Sequence, residues 1–232
     1  MLRKTSVTVF GVFFILVLYF TFNTEVFAQF TGEPESKKED GLKWGYAHIG
    51  LAIKMFEVNP GNMNDLIEPF EVSTPINFEH FLYLCGGFRN IAQIEYRWGE
   101  DSNNLFYDEV GFPPTQINRT TIDMKFDYSQ VLFKVNPIFF LKGLEFWTFF
   151  FVWGNGSVDY VDNNGDGFNG GTKKIAGIEI GKVMKYFAMS VGYEQSSMEF
   201  ENFKIRGFEP VNGNFDASTW QIHLKVSVGF GI

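Results

Sequence analysis

Residues 219–230 read TWQIHLKVSVGF. Every second residue from Trp220 is apolar: Trp220, Ile222, Leu224, Val226, Val228 and Phe230. The set between them, Thr219, Gln221, His223, Lys225, Ser227 and Gly229, holds no large apolar side chain. Period-two alternation is the pattern of a strand with one apolar and one polar face. Strands of soluble domains most often run about 5–6 residues. A tilted strand crosses a bilayer in about 9–11, and this stretch is long enough.

The bulk composition agrees with apolar residues interleaved rather than clustered. Aromatics make up 19% of the 232 residues, with 29 Phe, yet the mean hydropathy is −0.05. The formal charge is −8 and there is no basic run; this disfavours a nucleic-acid partner. The single cysteine, Cys85, excludes an intrachain disulfide and a Cys-based zinc site.

The first 28 residues read as an export signal. Arg3 and Lys4 form a positive start, Val7 to Phe22 an uncharged apolar core, and Val26-Phe27-Ala28 a cleavage site. A single uncleaved anchor is the other reading of the same stretch. Gln29, not Cys, follows the cut, so a lipid-anchored product is not expected. Residues 29–42 (QFTGEPESKKEDGL) form a polar, flexible lead. Residues 43–232 then form one all-β unit.

Seven further segments precede the closing strand: Lys43–Val58, Pro75–Leu84, Phe88–Gly99, Arg119–Val135, Leu144–Val161, Thr172–Lys182 and Tyr186–Phe203. Cys85-Gly86-Gly87 reads as a tight turn. In Arg119–Val135 the apolar set Ile122, Met124, Phe126 and Tyr128 gives way to Val131, Phe133 and Val135. One extra residue near Ser129-Gln130 would explain the phase change, so a bulge is expected there. Connections are long and polar after strands one, three, five and seven, and short after two, four and six. That rhythm, an export signal and long strands point to a closed, antiparallel, up-and-down transmembrane β-barrel of eight strands. A secreted lipocalin-like barrel with an apolar interior is the soluble alternative. Trp44, Trp98, Trp153 and Trp220 fit interfacial girdles.

On these residues the chain resembles the small eight-stranded outer-membrane β-barrels of Gram-negative bacteria, the OmpA/OmpX-like group. The resemblance rests on the signal at 1–28, the eight amphipathic strands and TWQIHLKVSVGF. It implies the bacterial outer membrane as location, outer-membrane lipid as surroundings and the barrel-assembly machinery as a partner during insertion. In that group the last strand ends on an aromatic residue. Here Gly231 and Ile232 follow Phe230.

An eight-stranded barrel is just wide enough to be filled by side chains. Glu95, Arg97, Asp123, Lys125, Asp127, Glu179, Glu194, His223 and Lys225 are expected to form a charged network in the lumen. Such a network plugs the barrel, because buried charges need partners; a narrow pathway for small solutes is the alternative. Asp162, Asn164 and Asp166 stand in DNNGDG, the first half of a calcium loop. Lys173 stands where a bidentate acid is wanted, and Asn-Gly and Asp-Gly are also hairpin-turn residues. No cofactor is otherwise expected. A hydrolase needs a nucleophile beside a base. His48-x-Gly50, His80-x-Leu82 and His223-x-Lys225 lack the His-x-Ser pair of lipid-modifying barrels, so no enzyme and no catalytic residue is expected. The leading expectation is a structural or surface-interaction barrel with an external partner, then a porin-like channel, then a lipid-modifying enzyme.

Overall fold

The computed structural model describes residues 45–62, 76–110, 117–141, 147–163, 165–204 and 211–231. The expected export signal and polar lead at 1–42, and Trp44, lie outside the described residues. Eight strands are described: β1 (Gly45–Asn59), β2 (Asn77–Phe88), β3 (Ala92–Val110), β4 (Ile117–Val135), β5 (Trp147–Asp162), β6 (Gly167–Val183), β7 (Phe187–Phe203) and β8 (Val211–Gly231). Each pairs antiparallel with its sequence neighbour, and β8 closes the barrel on β1, from Tyr46↔Gly231 to Asn59↔Ser218. Closure removes the sheet edges that neither lipid nor water could leave exposed without cost.

The strands run from 12 to 21 residues, more than one crossing needs. The surplus lies at the end opposite the short turns 89–91 and 184–186, and there the polarity of the barrel inverts. Near the short turns Ile49, Leu51, Ile94, Val131, Phe133, Phe151, Ile178, Ile180, Val226 and Val228 point outward and are exposed. The inward positions on the same strands, β5 excepted, include buried charges: Lys54, Glu95, Arg97, Lys134, Glu179 and Lys225. Toward the far end the outward positions carry Asp123, Lys125, Asp127, Asp159 and Glu199, all exposed. The inward ones carry Phe56, Met124, Phe126, Tyr160, Phe168, Met198 and Phe200, all buried. Lipid demands an apolar exterior; water demands the reverse. One continuous strand meets both media.

This inversion replaces the expected bulge in β4. The register of β4 with β3 and β5 runs without a shift through Ser129 and Gln130. What changes there is the identity of the apolar face, not the count of residues. Register shifts occur instead at the far end, between Val158 and Tyr160 and between Glu201 and Phe203. Asn202 there has φ 58°, a left-handed conformation that Asn tolerates.

Two further expectations change. Cys85-Gly86-Gly87 is strand, not turn: β2 runs on to Phe88, and Arg89 at φ 51° makes the turn. The segments expected as long loops are partly strand. β3 continues to Val110 and pairs rung by rung with β4 up to Val110↔Ile117. β6 starts at Gly167 and β8 at Val211. Above the bilayer a strand needs no apolar outward face, so its sequence looks like a loop.

Candidate functional site: the charged lumen

Alternation places one side chain in two inside the barrel, and in the membrane half these include six buried charges set among uncharged neighbours such as Tyr83, Leu132, Phe150 and Val152. Three acids, Glu95 (β3), Glu179 (β6) and Glu194 (β7), meet three bases, Arg97 (β3), Lys134 (β4) and Lys225 (β8). Arg97 holds Glu194 by two parallel bonds, Nη1 to Oε2 at 2.6 Å and Nη2 to Oε1 at 2.9 Å, and its Nε donates to Glu95 at 2.9 Å. Lys134 donates to Glu95 at 2.6 Å and to Glu179 at 2.8 Å. Lys225 donates to both oxygens of Glu95 and to Glu179, each at 2.8 Å. Gln221 and Ser190 donate to Glu194 and Glu179 at 2.6 and 2.8 Å. The six charges are buried and balance one another. Balance is required, because an unpaired charge in a low-dielectric interior costs several kcal/mol (~3–5 when one partner is removed).

A second cluster sits nearer the far end. Asp101 (β3) accepts from Lys54 (β1) and from Lys173 (β6), the latter at 2.6 Å. Lys54 also donates to the Tyr128 hydroxyl at 3.0 Å and to the Glu100 carbonyl at 2.7 Å. Both ammonium groups lie over the Tyr128 ring, at 4.8 and 4.1 Å from its centroid. The aromatic face supplements the one carboxylate shared by two cations. Above this layer the buried aromatic cluster fills the bore, with Phe168 packed on Phe200, Phe203 and Phe215 at 4.9–5.1 Å.

Of the nine expected lumen residues, the structure places Glu95, Arg97, Glu179, Glu194, His223 and Lys225 together inside. Asp123, Lys125 and Asp127 are on the outer face instead, because β4 keeps its register where a bulge was expected. Lys125 bridges to Glu100 at 2.5 Å on the exterior. Partial burial alone would raise the Glu100 carboxyl. Hydrogen bonds from Lys125 and Ser102 outweigh it and hold Glu100 below the usual carboxylate range. Sequence reasoning missed Lys54, Asp101, Lys134 and Lys173. Lys54 and Lys134 do alternate with apolar neighbours, and that signal was there to use. Asp101 and Lys173 lie where the pattern has already inverted.

His223 stands between two carboxylates without bonding either: Nε2 is 3.6 Å from Glu179 and Nδ1 4.0 Å from Glu194. Its ring meets Phe81 edge-on at 5.7 Å between centroids. Among the described residues, Glu179, Glu194 and His223 are grouped closely enough to share a metal ion, with ligand atoms within 4.8 Å. The same carboxylates already serve Arg97, Lys134 and Lys225, whose charges a divalent ion would face. At the short-turn end, His48 Nδ1 lies 3.3 Å from Ser227 Oγ, with Nε2 3.4 Å from the Lys185 carbonyl. A search within single strands could not find this pair, because it forms across the β8–β1 closure. Of the calcium-loop residues, Asn164 lies outside the described residues. Asp162 accepts the Asp166 N–H at 2.9 Å through its side chain, beside Gly165 at φ 82°. That is the geometry of a tight turn closing β5 on β6.

No protein-family model and no characterised sequence matches the chain. Solved structures do. Outer membrane protein AlkL, determined in DMPC lipid bilayers, superposes with a TM-score of 0.50 at 11% identity, over 86% of this chain and 97% of that one. The outer membrane protein OprG from Pseudomonas aeruginosa gives 0.49 at 10% identity, over 83% and 99%. The chain has the fold of the small eight-stranded outer-membrane β-barrels.

Proposed function

We propose that this chain is an integral protein of the bacterial outer membrane with a structural or surface-contact role. The observation that carries the reading is the filled bore. Side chains from opposite walls meet in the middle at two charged levels, and aromatic rings pack above them. The outward apolar band supports a place in lipid, since a closed barrel with that exterior has no other way to bury it. The strands continue past the band as a water-facing wall rich in Asp and Glu. This wall is the surface offered to a partner outside the cell.

The test is planar-bilayer conductance of the refolded chain. A plugged barrel gives a silent membrane; stable single-channel steps would sink the reading and favour a narrow solute channel. Lipid modification ranks behind both. The His48–Ser227 pair is buried beneath Tyr46, and a carbonyl, not a carboxylate, faces its outer nitrogen.

A further inference from the structure

Among the described residues, the two ends of the barrel differ in the charge of their outward surfaces. Toward the far end, among the described residues, Glu57, Glu100, Asp123, Asp127, Asp159, Glu199, Glu201 and Asp216 outnumber Lys125, Lys174 and Lys204. At the short-turn end, among the described residues, no Asp or Glu points outward; Glu95, Glu179 and Glu194 are turned into the lumen. The cations there sit in the turns and fold back on outward aromatic rings. Arg89, in the β2–β3 turn, lies over Phe88 with 5.6 Å from its guanidinium carbon to the ring centroid. Lys185, in the β6–β7 turn, lies over Tyr186 at 5.2 Å. Phe88 and Tyr186 are 49% and 56% exposed, so each ring presents an apolar face outward while its cation stays at the rim. Lys182 stacks on Trp147 at 4.7 Å in the same way but is covered. Phe140 and Phe230, 68% and 58% exposed, extend the aromatic rim between the turns.

We propose that this rim is a docking surface for the phosphate-bearing headgroups of anionic phospholipids, held by Arg89 and Lys185. The proposal rests on the outer-membrane reading, in which short turns face the periplasm. Charge complementarity selects the occupant: among the described residues of the rim there are two turn cations, no outward acid, and aromatic rings at the depth where headgroup meets acyl chain. A zwitterionic lipid offers the same apolar region but no net charge. The acidic far end has the opposite preference, so the charge axis also orients the barrel.

The test uses the full chain in nanodiscs of equal phosphatidylcholine and phosphatidylglycerol, with retained lipids counted by native mass spectrometry. Phosphatidylglycerol is expected to be enriched about five-fold per engaged cation. The R89Q/K185Q variant should fall toward the bulk ratio, while K125Q/K174Q at the other end should not. Raising the ionic strength should lower the wild-type enrichment even if the rim variant fails to fold. Retention at the bulk ratio by the wild type, or undiminished enrichment in R89Q/K185Q, overturns the proposal. A wild-type chain that does not insert at all overturns the outer-membrane reading itself.

Discussion

Arg97 and Glu194 join β3 to β7, strands four places apart in a ring of eight, so their paired hydrogen bonds cross the full width of the bore. Neither side chain meets solvent. Removing one partner leaves the other charged, buried and partly unpaired. R97M or E194M should each destabilise the barrel by about 3–5 kcal/mol. The R97M/E194M double variant should cost less than the sum, because no charge is stranded. Urea unfolding in lipid vesicles measures all three. Additive single effects would mean that the two groups are not coupled as the geometry implies.

Asp101 is one carboxylate between two ammonium groups. D101N removes the charge that both Lys54 and Lys173 rely on, and the Tyr128 ring remains as their shared support. D101N should therefore lower stability more than K173M, which leaves the Lys54–Asp101 pair intact. The temperature at which the folded band is lost on a heat-modifiability gel ranks the two. A K173M loss equal to or larger than that of D101N contradicts the shared-carboxylate arrangement.

The Lys125–Glu100 pair supplies the contrast. It lies above the apolar band, with side chains 51% and 33% exposed. Solvent screens a surface pair of this kind and leaves it little net stability, so K125A should be nearly silent where R97M is not. The sign with pH follows from the lowered Glu100 carboxyl. Its contribution is present at neutral pH and is lost as pH falls through the folded-state value. The small difference between K125A and wild type should shrink as pH falls from neutral through the lowered folded-state value of Glu100. A difference that grows in acid would contradict this.

The strand count, the closure of β8 on β1 and the inward side of Lys225 and His223 were legible in the sequence. Period two is local and lipid enforces it strictly. The inversion was not legible, because the same alternation has two meanings in two media. Met124, Phe126 and Tyr128 look like a lipid-facing set until their depth is known. Depth comes from the ladder: Tyr128 pairs with Gly99, beyond the end of the outward set Ile94, Tyr96 and Trp98. The same ambiguity turned Asp123 and Asp127 inward and hid Asp101. His48 and Ser227 were hidden differently, since residues far apart in sequence meet only when the barrel closes.

The inversion makes a depth scan along one strand informative. On the outward face of β4, Val131 and Phe133 lie in the apolar band, and Asp127 and Lys125 lie above it. Arginine on the lipid face should cost about 2–4 kcal/mol near the midplane and about 0–1 near the interface. V131R and F133R should therefore be costly, S129R intermediate and D127R nearly neutral. Equilibrium unfolding in thin-bilayer vesicles gives each value. A flat profile from 127 to 133 would remove the evidence that the membrane boundary crosses β4 near Ser129.

Gly87 and Tyr46 are direct partners across the β1–β2 ladder. A Cβ at Gly87 would lie 2.4 Å from the Cζ and hydroxyl of Tyr46 and 2.6 Å from Cε1. The tyrosine ring therefore lies across the bare glycine backbone and takes the space a side chain would fill. G87A must push that ring aside, at about 1–3 kcal/mol for overpacking. The three nearest atoms are all in one side chain, so the strain should be relieved by shortening it. Tyr46 Oη has no hydrogen-bond partner among the described residues, so Y46L loses ring packing without stranding another polar group. A double-mutant cycle of G87A and Y46L should then show a coupling of about 0.5–3 kcal/mol in the rescuing direction. Simple additivity would place the cost of G87A in the backbone rather than in the ring.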